Sequence, residues 1–337
     1  MTYTKKKPTT AKRRSSRNTT RKTHRSYTLS NFVGRLMASF SNRLSIDAKN
    51  KSRRFRSLQC SPIVINTKRF YNISSHTCYP NHVLRNLYNA WNKQYPNDPI
   101  PECGDVDELY KILKAKLRNI CLNEKCWSRK LNMQMDNKLY FAPNRPIEWE
   151  TELTTWLSNV DIWNVLKQYE VLYNDFKCIY PTPVNYDTIR KDSMTCVSEE
   201  LCKFNLASYI KNGITKIGVV INTDPHYKKG AHWIALFINI PKKFIFFFDS
   251  GGDKCPRRLR KLITSIIAQG NELDIHLTFD QNHPLAHQRS TTECGMYVMY
   301  FIINMIIDKI TPHQLKTRRI PDDKMINLRN KYFTKNV

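Results

Sequence analysis

The sequence predicts an α+β fold in which helices come first, a strand-rich centre follows and a long apolar helix returns to pack on it. Three observations carry that expectation. Apolar residues recur at helical spacing from about 75 to 170, and short runs rich in β-branched and aromatic residues fill 217–279. Residues 294–309 then form a nearly continuous apolar stretch behind a polar loop.

Residues 1–57 are expected to be a basic, largely disordered tail, since 17 of the 55 Lys and Arg fall there against a single acid, Asp47. Such a segment buries too little apolar surface to offset chain entropy. Its charge suits DNA or RNA, because neutralising phosphates releases counterions; a solubilising or nuclear-targeting tail is the alternative. Within it, Leu29, Phe32, Val33, Leu36 and Phe40 suggest a short amphipathic helix. The whole chain cannot be disordered, with 41% apolar and 11% aromatic residues.

Residues 58–148 read as a helical subdomain. Val83, Leu84, Leu87, Tyr88 and Trp91 make one helical stripe, and Leu109, Ile112, Leu113, Leu117 and Ile120 a second, with Asp105 placed as its N-cap. Cys121 and Cys126, with Cys103 and His82, give a loose metal-ligand pattern that lacks the two tight pairs of structural zinc, so no metal or other cofactor is assigned. The ten cysteines show no CxxC pair and no regular framework, which suits reduced thiols in an unsecreted protein. No apolar run is long enough to span a bilayer.

Residues 149–337 are read as the functional domain. A helix through Tyr169 is expected from Thr155 or Ser158, ended by Pro181 and Pro183. Strands follow at 217–221, 232–240, 244–248 and 275–279, with a helix at about 256–269. Their near-continuous apolarity predicts a sheet covered on both faces. The tight connection at Pro241 and Lys242 folds the second and third strands into a hairpin in which paired residue numbers sum to roughly 482.

Cys294 sits where the polar loop meets the final apolar helix. A thiol at a helix N-terminus is favoured as an anion and is nucleophilic near neutral pH; the plainer reading is a packed core cysteine. A nucleophile needs a base, an orienting partner for the base, and donors for an oxyanion. The hairpin brings His232 beside Asp249 and Ser250, and Gln288 lies six residues before the thiol. His226, His276, His283 and, above all, His287 compete for the role of base, and Asp253, Asp280 and Glu293 for that of the orienting acid.

The ordered set His232-Trp233, Asp249-Ser250, Gln288 and Cys294-Gly295 resembles the ubiquitin-like-protein-specific cysteine proteases, comprising the SUMO-processing and adenovirus-type enzymes. The resemblance covers residues 150–310. It implies a papain-like or adenain-like fold with a central mixed sheet flanked by helices, His232 as base, Asp249 as orienter, Gln288 as oxyanion donor and Cys294 as nucleophile. It further implies that Trp156, in Trp156-Leu157-Ser158-Asn159, and Trp233 clamp a Gly-Gly substrate between two indole faces; Asn159 stands where the family has Asp. The basic start, the helical features around Trp91 and the segment Lys167-Gln168-Tyr169-Glu170 are similar to proteases of large cytoplasmic DNA viruses, of the African swine fever virus and mimivirus kind. That similarity implies cleavage of structural precursors after Gly-Gly-x sites, in host cytoplasm and virion. A deSUMOylase or deubiquitinase isopeptidase acting in cytoplasm or nucleus is the alternative, and a nucleic-acid-binding packaging protein with a degenerate protease fold is another. Gly251-Gly252 is read as turn geometry and not as a self-cleavage site.

Overall fold

The computed structural model describes residues 59–71, 76–121 and 123–334. The basic tail and its amphipathic helix at 29–40 lie outside the described residues. The helical region opens with α1 (Pro62–Tyr71), α2 (Asn81–Gln94) and α3 (Val106–Leu117). Their stripes do what the spacing predicts: Val83, Leu84, Leu87, Trp91, Leu109, Leu113 and Leu117 bury one shared core with Tyr79, Trp127 and Phe141. Asp105 caps α3 by accepting the Asp107 amide. Ile120 departs from the expected stripe, because α3 ends at Leu117 and leaves it exposed.

A short helix, α4 (Trp127–Lys130), leads towards α5 (Asn159–Leu172). Ser158 begins α5 with a capping box: it accepts the Asp161 amide while the Asp161 carboxylate accepts the Ser158 amide. Pro181 and Pro183 do not merely follow this helix. They lie in a strand, β1 (Phe176–Pro183), that the sequence reading missed. Its place explains the prolines, because β1 is an edge strand and its register against β2 shifts between Ile179 and Thr182.

After α6 (Glu199–Cys202) and α7 (Leu206–Lys211) come β2 (Lys216–Asn222), β3 (Trp233–Asn239) and β4 (Phe244–Phe248). Then follow α8 (Arg257–Glu272), β5 (Thr278–Gln281), α9 (Cys294–Ile306), α10 (Pro312–Thr317) and α11 (Asp322–Tyr332). The last strand starts three residues later than expected, so His276 precedes it.

The sheet is mixed, in the order β1-β2-β3-β4-β5, with β2-β3 and β3-β4 antiparallel and the two outer pairs parallel. Trp233, Ala235, Phe237, Phe246 and Phe248 face α5 and α9 on one side. Ile234, Leu236, Ile238, Ile245 and Phe247 face α8 on the other. This two-sided cover is why β3 is buried along its whole length. Every residue of α9 is buried, so the helix that begins at Cys294 is the centre of the domain and not a surface element. Among the described residues no helix is long and apolar enough to cross a membrane.

Six cysteines pair, as Cys60–Cys78, Cys121–Cys126 and Cys196–Cys202. The pairing overturns the expectation of reduced thiols throughout, and with it the cysteine argument for a reducing compartment. Sequence spacing hid it because folding brings each pair to Cα separations of 5.2 to 6.3 Å. Cys103, Cys178, Cys255 and Cys294 are free.

Candidate active site

The β3-β4 hairpin delivers the proposed base and its partner to one end of the sheet. Its register pairs Ala235 with Phe248 and Asn239 with Phe244, so paired numbers sum to 483, one more than expected. Continued by one residue, that register sets Asp249 opposite Ile234. His232 is then a diagonal neighbour on the same face, still within side-chain reach. His232 Nε2 and Asp249 Oδ1 are 2.7 Å apart. Nδ1 is left for Cys294, whose side chain acts with Asp249 to raise the pKa of the imidazole.

Burial pulls the His232 pKa down, but hydrogen bonds and negative charge from Asp249 and Cys294 outweigh it and raise the imidazole from 6.5 to about 10. The imidazole therefore holds its proton through the neutral range while facing the Cys294 sulfur.

Asp249 is fixed from several sides. Its Oδ1 also accepts the Gly251 amide at 2.7 Å. Its backbone is gripped by Asn282, which accepts the Asp249 amide at 2.8 Å and donates to the Asp249 carbonyl at 2.7 Å. Asn282 is wholly buried and ties the loop after β5 to the end of β4, a role that nothing in its sequence neighbourhood announces. Gly252 sits at φ +80°, and a Cβ there would lie 2.7 Å from the Ala286 amide nitrogen. Its glycine is required by the turn and by close backbone approach, as the sequence reading held.

Gln288 is brought to the same place. Its amide and that of His287 both donate to the Ser250 carbonyl at 2.8 Å. The Ser250 hydroxyl donates to Gln288 Oε1 at 2.7 Å, and Gln288 Nε2 gives one proton to the Ser290 carbonyl at 2.7 Å. A carboxamide has two N–H donors, so one remains for a ligand. Ser250, noted in the sequence only as a neighbour of Asp249, is buried and orients this group.

The competing residues are engaged elsewhere. His287 is wholly buried, its Nε2 3.0 Å from the Leu315 carbonyl and its Nδ1 accepting the Ile320 amide at 3.1 Å. Burial, above all, lowers its pKa, so it is a neutral strut with both nitrogens used. His226 bonds Asn185, His283 the Gly252 carbonyl and His276 Asn271. Glu293 is buried against Arg329, and Asp280 pairs with Lys316. Asp253 is exposed on the turn after β4. Cys121 and Cys126 are bonded to each other, which removes them as metal ligands.

Cys294 is the first residue of α9, and Glu293 in the cap position makes no side-chain hydrogen bond to the helix. The first amides of α9 thus keep the anion-binding character of an uncapped helix start. A cleft runs past His232, lined also by Trp156, Asn159, Lys228, Lys229 and Trp233. Trp156 is 45% exposed and Trp233 8%. The Trp233 indole N–H donates to the Leu157 carbonyl at 2.9 Å, locking the two tryptophan-bearing segments together. Asn159 donates to the Tyr180 hydroxyl at 3.1 Å on the cleft wall.

Residues 215–336 match the Ulp1 protease family, C-terminal catalytic domain. An Acanthamoeba polyphaga mimivirus protein named as a thiol protease is 27% identical over 220 residues, 63% of this chain and 68% of its own length. The SUMO-1 cysteine protease of African swine fever virus is 26% identical over 189 residues, 53% of this chain and 68% of its own. The crystal structure of the African swine fever virus pS273R protease superposes with a TM-score of 0.56 at 18% identity, covering 82% of this chain and 96% of that one. This likeness of fold reaches beyond the C-terminal region into the helical one. Residues 215–336 thus form a Ulp1-like protease domain, and the chain is a cysteine protease.

Proposed function

We propose that the chain is an endopeptidase that cleaves protein precursors after Gly-Gly, with Cys294 as nucleophile, His232 as acid and base, Asp249 as its orienter and Gln288 as oxyanion donor. The observation that carries this reading is the single imidazole that bonds Asp249 at 2.7 Å and has its proton held by both Asp249 and the sulfur that starts a buried helix.

The steps follow from the geometry. With the proton already on His232, the Cys294 sulfur attacks the carbonyl carbon of the second glycine as a thiolate. The oxyanion so formed accepts from the Cys294 amide and from the free N–H of Gln288. As the C–N bond breaks, the His232 proton moves to the leaving amine and a thioester remains. His232 then takes a proton from water, whose hydroxyl displaces Cys294 and releases the carboxylate. Trp156 and Trp233 line the approach. Residues without side chains are the ones that pass a narrow aromatic wall without a clash, which supports glycine at the two positions before the cut. Relatives from two large DNA viruses support a viral structural precursor as substrate and the host cytoplasm and virion as its place.

The name of the African swine fever virus relative favours a second reading, an isopeptidase acting on a ubiquitin-like modifier. One comparison tests both: turnover of a Gly-Gly-x peptide and of modifier C-terminal probes, by the wild type and by Cys294→Ala. The endopeptidase reading predicts peptide cleavage by the wild type alone and weak reaction with the probes. Cleavage by Cys294→Ala would refute the mechanism, and preference for a modifier probe would select the second reading.

A further inference from the structure

The Arg329 guanidinium lies behind the candidate site and has an acceptor for each of its five N–H groups. Nε and Nη2 form a fork on Glu293, at 3.0 and 2.8 Å, and Nη2 also reaches the Thr292 carbonyl at 3.4 Å. Nη1 donates to the carbonyls of Leu153 at 2.8 Å and Thr155 at 3.4 Å. The group stacks on Trp149, 4.3 Å from its ring centre, and the Trp149 indole donates to the same Thr155 carbonyl at 2.9 Å.

Two chain segments therefore end on one side chain. The first, 153–155, runs into Trp156 on the cleft wall; the second, 292–293, runs into Cys294. They also touch directly, since a Cβ on Gly295 would meet Leu157 Cβ at 3.1 Å. Arg329 and Glu293 are both buried, at 5% and 1% exposure. The fork matters for chemistry because Glu293 occupies the cap position of α9. A carboxylate released there would sit among the amides needed by an oxyanion and would oppose a negative sulfur.

We propose that Arg329 is a positioning residue with two effects: it holds the Glu293 carboxylate away from the start of α9, and it fixes the Trp156 wall relative to the Cys294 thiol. The proposal rests on the reading of Cys294 as nucleophile.

The test compares Arg329→Met with the double variant Arg329→Met/Glu293→Gln. The readouts are kcat and KM on a Gly-Gly-x peptide and the rate of Cys294 labelling by iodoacetamide at pH 7. The single variant leaves a buried carboxylate unpaired; the double variant removes both charges at similar volume, a change that folds tolerate. In Arg329→Met, labelling and kcat fall by roughly tenfold or more, the effect of one lost charge-assisted contact. In the double variant labelling returns to within about threefold of wild type, while KM stays several-fold raised because the Leu153 and Thr155 carbonyls have lost their anchor. Labelling unchanged in the single variant, or not restored in the double, overturns the proposal. If the single variant does not fold, the double decides alone, and a wild-type KM overturns it. A wild-type protein that neither labels at Cys294 nor cleaves the peptide refutes the protease chemistry instead, whatever the variants do.

Discussion

Asp249 offers the sharpest perturbation, because two substitutions separate its geometric role from its electrostatic one. In the wild type its Oδ1 takes the His232 Nε2 proton at 2.7 Å and the Gly251 amide at 2.7 Å. Asp249→Asn keeps an acceptor oxygen and removes the charge. Asp249→Ala removes both. Hydrogen bonds to charged groups contribute about 1.5–3 kcal/mol and neutral ones about 0.5–1.5, so the Asn variant forfeits roughly 1 kcal/mol and the Ala variant the whole contact. At 1.36 kcal/mol per decade, kcat/KM should fall by roughly tenfold for Asn and up to about a hundredfold for Ala. The pH profile carries a second signature. Because Asp249 and Cys294 raise the imidazole to about 10, the proton needed by the leaving amine is present below that pH and lost as pH rises through it. Both variants should move this alkaline fall to lower pH, Ala at least as far as Asn. The same raised value means that the ion pair stabilises the fold most fully below pH 6.5 and ceases to do so as pH rises through about 10. The assay is kcat/KM on a Gly-Gly-x peptide from pH 5 to 11. An Ala variant within about threefold of wild type, with its alkaline limb unmoved, would refute the reasoning.

Other substitutions address the supporting residues. Ser250→Ala frees Gln288 Oε1 and should lower kcat by about tenfold with KM little changed, since the loss is of oxyanion geometry; an equal rise in KM would contradict that role. His287→Ala removes a strut between Leu315 and Ile320 and should cost about 2–3 kcal/mol in a denaturant melt, while Cys294 still labels at close to the wild-type rate; abolished labelling in a folded variant would reopen His287 as the base. Gly252→Ala forces a Cβ against the Ala286 backbone at positive φ and should destabilise by about 1–3 kcal/mol, read as a lowered thermal midpoint.

Much of this architecture was legible because local and tertiary signals agree. The helical stripes of α2 and α3, the apolar β2 to β4 and the single tight hairpin led to the right layers, and the hairpin alone brought His232 to Asp249. The failures have physical causes. Pro181 and Pro183 spoke against a strand, yet an edge position and a register shift admit them in β1. Ile275 and Leu277 share the composition of a strand but precede β5, because each also packs against the α8 side of the core. Cysteine pairing depends on separations that no spacing rule reveals. Asn282, Ser250 and Arg329 act through contacts with residues 33 to 38 positions away, or in the case of Arg329 with Leu153, 176 away, so no local motif could single them out. In the sequence Glu293 reads only as a rival acid, because its partner Arg329 lies 36 residues away.

The central claim is that Cys294 is the chemically active thiol, and site-resolved alkylation tests it most directly. Four thiols are free to compete. Cys103 is the most open of them, but partial desolvation and the Glu108 carboxylate hold its pKa up. Burial pushes Cys178 well above its ordinary value and Cys255 up to about 12. Iodoacetamide at pH 7, followed by peptide mass mapping, should mark Cys294 first although the residue is only 2% exposed, because the protonated His232 beside it favours the sulfur as an anion. Labelling that follows exposure instead, with Cys103 modified and Cys294 untouched, would contradict the account.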